Sequence, residues 1–229
     1  MKDFDQIAKK ITIVLFLSQS LSSAGFIAAF TVNALVGVDL TGQRAMAGVP
    51  GGLYVVGQAC GAIVWGFSME RIGRRRSIAL GQLLGAMGSA IAVAAVVARS
   101  FSFFLFGLGL VGMARSAVDL GRFVADEVHL PAKRGRAISN VVLGSTVGAI
   151  FGPLPVGPMG RMATWAGYPE LSGAYIAGAA VLVVAAMLIF AGLRPEPRDI
   201  GRELARIHTG SIPHSRRPVP CRRSFAVRG

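Results

Sequence analysis

The chain has 229 residues, of which 53% are hydrophobic and only 15% charged, with a formal net charge of +13. Soluble domains run at about 45 to 50% apolar and about 25% charged, so this balance excludes an ordinary soluble domain and points to the lipid bilayer as partner. The arginine excess does not point to nucleic acid, because no recognition module accompanies it.

A helix crossing a hydrocarbon core of about 30 Å needs about 20 apolar residues. Six windows meet that length: 11–37, 49–69, 77–98, 101–120, 137–159 and 171–193. They are apolar on all sides, which favours helices over the alternating strands of a barrel. The predicted organisation is a short N-terminal segment (1–10), an all-α membrane domain of six transmembrane helices (11–200) and a basic tail (201–229) that reads as disordered. The run after Lys9 and Lys10 is too long for a signal peptide and lacks a small-residue cleavage site, so it is a retained first helix. With the N-terminus inside, eleven basic residues before Leu193 fall in inner segments and three, Arg44, Arg99 and Arg161, in outer loops. The positive-inside rule then places both termini in the cytoplasm of a multi-pass cell-membrane protein.

Within the first window, Gln19, Ser22, Ser23 and Asn33 are the polar candidates for a central, substrate-binding cavity; the serines could equally bond the carbonyl of the preceding turn. Cys60, in the second window, and Cys221, in the tail, match no metal or redox spacing. No cofactor and no metal are expected, and with His129, His208 and His214 isolated, no catalytic set is assembled. Between the second and third windows, "GFSMERIGRRR" (residues 66–76) is a charged turn in which Gly66 permits close helix approach, Glu70 ends one helix, Gly73 allows the turn, and Arg74, Arg75 and Arg76 hold the next helix end at the anionic leaflet.

In the fourth window and just beyond it Arg115, Asp119, Arg122 and Asp126 follow i, i+4, i+7, i+11 spacing, which puts them on one face and lets them pair in sequence. A charge at the bilayer centre costs at least about 2.5 to 3.5 kcal/mol and implies an interior face. Arg115 lies about 21 Å along this helix from Phe101, so snorkelling to the inner headgroups is the competing reading for both arginines. Asp119 is the stronger functional candidate. In the fifth window Gly144, Gly148 and Gly152 recur every four residues and make a smooth strip for a neighbouring helix, while Pro153 and Pro158 should kink its outer half.

Gly66-x-x-x-Glu70-Arg71-x-Gly73-Arg74-Arg75 resembles the signature between the second and third helices of the major facilitator superfamily, with Glu in place of the usual Asp. Glu127-x-x-x-Pro131-x-x-Arg134-Gly135-Arg136 after the fourth window and "LRPEP" (residues 193–197) after the sixth carry the same resemblance. Gly144, Gly148, Gly152, Pro153 and Gly157 are similar to the glycine-proline motif of the family's drug and proton antiporters, although Val156 stands where a paired glycine is usual and Ser139 where the first would fall. The resemblance implies the N-terminal half of a major-facilitator-type bundle and transport by alternating access. It further implies a gating role for the glycine-proline helix and that Glu70 faces a helix of the other half; Arg74 could meet Glu127 at the foot of the fourth helix, within this half. The expected function is proton-coupled export of a small, partly apolar solute, with a small-molecule substrate, protons and a second six-helix half as partners. Because facilitators have twelve spans, a truncated or frame-shifted product is expected; a dimerising half-transporter and a non-transporting membrane interaction protein are the alternatives.

Overall fold

A computed structural model describes residues 2–127 and 131–193, without the side chains of residues 2–8, 126, 127 and 131–133. The chain folds into α1 (Lys2–Thr41), α2 (Val49–Ile72), α3 (Arg74–Val97), α4 (Phe101–Asp119), α5 (Gly121–Glu127), α6 (Pro131–Phe151), α7 (Val156–Trp165) and α8 (Gly173–Gly192), with single 3-10 turns at Arg44–Gly48 and Glu170–Ser172. Among the described residues there is no strand. Five stretches are long and apolar enough to cross a membrane, and α6 with α7, bent by 55° at a short break, makes the sixth.

Local chemistry sets the boundaries. Pro50 lies in the first turn of α2, where its missing N–H leaves no helical bond unmade. Gly73 separates α2 from α3 with φ of 93°, a left-handed conformation that an L side chain resists. The second helix therefore runs two residues past Glu70, which does not end it. The fifth window is not one continuous helix: α6 stops at Phe151, and α7 begins only after Pro153 and Pro155, whose rings cannot continue the hydrogen-bond ladder. At the opposite end of the bundle from the charged turn, Arg99 takes a left-handed φ of 54° and pairs with Asp39 at 2.7 Å, tying the α3–α4 turn to the last turns of α1.

The helices pack as an arc in the order α2, α4, α3, α8, α1, α6, each against the next, with α2 and α6 at its two ends. Three buried apolar layers fill the arc. Ile11, Met69, Ile78, Val141 and Ile189 form the layer beside the charged turn; Phe26, Tyr54, Val111, Val118 and Leu182 form the middle one; and Val36, Val96, Phe104, Leu108 and Tyr175 close the far end. α2 leaves much of one face uncovered: Val55, Val56, Ile63 and Phe67 are all more than half exposed.

Candidate functional site

Asp119 occupies the last turn of α4. Arg115, one turn earlier, donates from Nε to both carboxylate oxygens, at 3.1 and 3.2 Å, and Gln58 of α2 donates from Nε2 to Oδ2 at 3.0 Å. The short Gln58 side chain reaches because α2 and α4 are nearly in backbone contact: a methyl group on Gly57 would run into Gly109, and one on Gly112 into Tyr54. Trp65 closes the same seam by donating from Nε1 to the Met113 carbonyl at 2.9 Å. The guanidinium carbon of Arg115 sits 5.6 Å from the centre of the Phe26 ring of α1. A cavity of about 360 Å³ opens beside the carboxylate, lined by Gln58 and Ala62 of α2, Ser116 and Asp119 of α4, and Arg122. A carboxylate in a span is expensive unless compensated. Here one cation and one amide compensate it, and one side still faces open space.

The four-charge run expected in this window is broken. A turn at Leu120 ends α4 and starts α5 at Gly121, so the helical register that would align Arg122 with Asp119 is interrupted. Arg122 instead lies 5.1 Å from the centre of the Phe123 ring, although it still reaches the cavity wall. The side chains of Asp126 and Glu127 lie outside the described residues, and with them the expected Arg74–Glu127 contact.

The polar residues of α1 do not line an open cavity. Gln19, Ser22, Ser23 and Asn33 are all buried, because α3, α6 and α8 cover the faces that carry them. Ser22 and Ser18 accept from Gln82 Nε2 of α3 at 3.0 and 2.7 Å, Asn33 Oδ1 accepts from the Tyr175 hydroxyl at 2.6 Å, Ser23 abuts Gly148, and Gln19 lies by Gly121. Gln58, Gln82, Tyr54 and Tyr175 were not singled out from the sequence. The signal was present for the two glutamines, since an amide within an apolar window must find a partner or leave the span.

The charged turn holds two neighbours at once. Arg75 donates from Nη2 to the Phe190 carbonyl in the last turn of α8, and its guanidinium carbon lies 4.5 Å from the centre of the Phe190 ring. Arg71 lies in the last turn of α2, where a cation favours the helix dipole. Glu70 and Arg74 border a separate cavity of about 600 Å³ with Phe67, Leu120 and Phe123. Both engage another group of this chain. Gly66 has no atom within 4 Å of where a side chain would begin: it opens this cavity and is not a point of helix approach.

The glycine strip of α6 packs as its spacing predicts. A methyl group on Gly144 would lie 2.7 Å from the Phe16 carbonyl oxygen and one on Gly152 2.9 Å from that of Ala24, while one on Gly148 would collide with the Ser20 carbonyl between them. Pro153 follows at the 55° break, and Gly157 beyond it faces open space.

The chain as a whole is similar to known proteins. A family match under the description Major Facilitator Superfamily covers residues 15–226, the bundle and most of the tail beyond it. The chain belongs to this family. As a facilitator it is a multi-pass membrane protein with the all-α fold of a half-bundle. It is similar to the uncharacterized MFS-type transporters YddS and YdeG of Bacillus subtilis, 31% identical over 201 residues and 33% over 197, which is 88% and 86% of this chain. It is also similar to the riboflavin transporter RfnT of Brucella anthropi, 34% identical over 146 residues, 64% of this chain and 37% of that protein. The chain spans about half the length of the curated relatives it matches, 46% of both YddS and YdeG.

Proposed function

We propose that this facilitator chain supplies the N-terminal six-helix half of an alternating-access transporter, which exports a small, partly apolar solute in exchange for protons across the cell membrane. The observation that carries this reading is the Gln58–Asp119–Arg115 cluster, a carboxylate bonded across α2 and α4 at the edge of a cavity. Protonation of Asp119 would cancel its attraction for Arg115 and turn an acceptor of Gln58 into a donor, so proton and solute occupancy are coupled at one seam. The bend between α6 and α7 supports the antiporter-like part of the reading, and the charge asymmetry of the loops supports cytoplasmic termini. Alternating access further needs an opposing wall. A second six-helix half is the partner that would provide it, along the exposed face of α2.

RfnT, by its name, makes riboflavin the first solute to try. Proteoliposomes holding this chain together with the part of YddS that it does not cover, loaded with riboflavin and given a pH step, should release the solute. Asp119→Asn should abolish the release, and Arg122→Gln should only slow it. Release indifferent to both the pH step and Asp119→Asn would remove proton coupling at this site, and absence of flux for any of a panel of small solutes would overturn the transport reading.

A further inference from the structure

We propose that, in the conformation described, Asp119 exchanges its proton with the compartment at the charged-turn end of the bundle, through a groove between α2 and α4 that passes Ala62 and Gly66. The proposal rests on the reading of Asp119 as the proton carrier and adds to it the side on which the proton comes and goes. The Asp119 side chain is 31% exposed and faces the cavity of about 360 Å³. Ala62 and Leu120, which wall that cavity, also wall the one of about 600 Å³ that reaches Glu70 and Arg74, so the two meet across one pair of apolar side chains. Each is many times the roughly 30 Å³ share of one water. Gln58, Ala62, Gly66 and Glu70 follow one another at intervals of four along one face of α2, polar at both ends and small between.

The other ways out are closed. α4 runs toward the charged turn, and α2 touches it before Asp119 is reached: Gly57 lies against Gly109, Gly112 against Tyr54, and Gly61 against Met113 and Ser116. One helical turn past Gly61 and Ala62, Gly66 has nothing within 4 Å of a side-chain position. The two helices therefore seal the seam on one side of the carboxylate and part on the other. Sideways, the groove is flanked by Val55, Ile63 and Phe67, each more than half exposed. A lateral exit leads to hydrocarbon or to another apolar surface, where no water takes up a proton. Toward the charged turn the proton passes from the carboxyl O–H to solvent in the groove, and the electron pair stays on the carboxylate, where Arg115 and Gln58 stabilise it.

The test is single-cysteine modification of the full chain, with Cys60 and Cys221 replaced, by an impermeant anionic methanethiosulfonate in intact cells and in inside-out vesicles. Ser68→Cys marks the charged-turn end and Gly42→Cys the opposite one. Asp119→Cys should react from the same side as Ser68→Cys. Ala62→Phe, at an exposed position where a ring would stand between the two cavities, should slow Asp119→Cys by about tenfold and leave Ser68→Cys unchanged. If Asp119→Cys does not accumulate as folded chain, Ala59→Cys, exposed in the wall of the same cavity, gives the same comparison. Reaction from the Gly42 side, from both sides equally or from neither would overturn the route, and so would rates that ignore Ala62→Phe. Access as expected, combined with solute release that ignores the pH step, would uphold the groove and overturn Asp119 as the proton carrier. Access from the Gly42 side, combined with release that needs both the pH step and Asp119, would do the reverse.

Discussion

Gln58 and Asp119 are 61 positions apart in the chain and bonded at 3.0 Å. The bond crosses a close helix seam, and Arg115 shares its acceptor. Interhelical bonds in membranes contribute about 0.6 kcal/mol on average and up to about 1.7. Gln58→Leu should therefore lower stability by an amount in that interval. Asp119→Asn should cost more, because it leaves the Arg115 cation in a span without its counter-charge. Thermal unfolding in detergent, followed through Trp65 in a Trp165→Phe background, measures both; Gln58→Leu as stable as the parent would show the bond to be inert.

The glycines of α6 and α7 should behave oppositely under the same small change. Gly148→Ala forces a methyl group into the Ser20 carbonyl and should destabilise by about 1 to 3 kcal/mol. Gly157→Ala enters open space and should be neutral or stabilising by up to about 1 kcal/mol through helix propensity. Size-exclusion profiles after a graded heat step rank the two, and a tolerated Gly148→Ala would refute the tight α1–α6 contact.

At the charged turn, Arg75 and Arg71 separate a specific contact from a general charge. Arg75→Lys keeps the charge but loses the planar fork that bonds the Phe190 carbonyl while stacking on its ring, and should cost about 1 to 2 kcal/mol. Arg71→Lys should change the unfolding temperature little, since the dipole at the end of α2 responds to either cation. A similar, small shift from both substitutions would mean that the α3–α8 clasp adds nothing beyond charge.

Orientation is testable without transport. Single cysteines at Gly42 and Gly167, in a chain with Cys60 and Cys221 replaced, should react with an impermeant maleimide from outside intact cells, and one at Ser68 only after the membrane is opened. Gly42 and Gly167 sit in exposed turns at the end of the bundle opposite the charged turn. Outside labelling at Ser68 would invert the topology.

The apolar windows were legible because membrane crossing is a property of composition and length: the sixth, at 171–193, meets α8 at Gly173–Gly192 almost residue for residue. The kink at Pro153 was legible for a similar reason, since a ring without an N–H acts locally. Partner choice was not. Gly57 and Gly66 look alike in sequence, yet one is wedged against Gly109 and the other borders an empty cleft, because only the order of helices in the arc decides what each meets. Asp119 stood out as a charge in a window, but its bond to Gln58 depends on α2 lying against α4, which no spacing within either helix encodes. Ser22 and Asn33 were legible as polar and misplaced as cavity-lining for the same cause: their partners, Gln82 and Tyr175, come from α3 and α8.

The contact between α6 and α1 is lopsided. On α6 the side chain must be absent at Gly144, Gly148 and Gly152; on α1 the surface met is largely main chain, the carbonyl oxygens of Phe16, Ser20 and Ala24. A carbonyl is the same whatever residue bears it. Sequence drift should therefore be borne unequally by the two helices, with three positions of α6 frozen as glycine, while on α1 the side chains that also touch the strip, Phe16, Ser20 and Ser23, are limited in size and not fixed in identity.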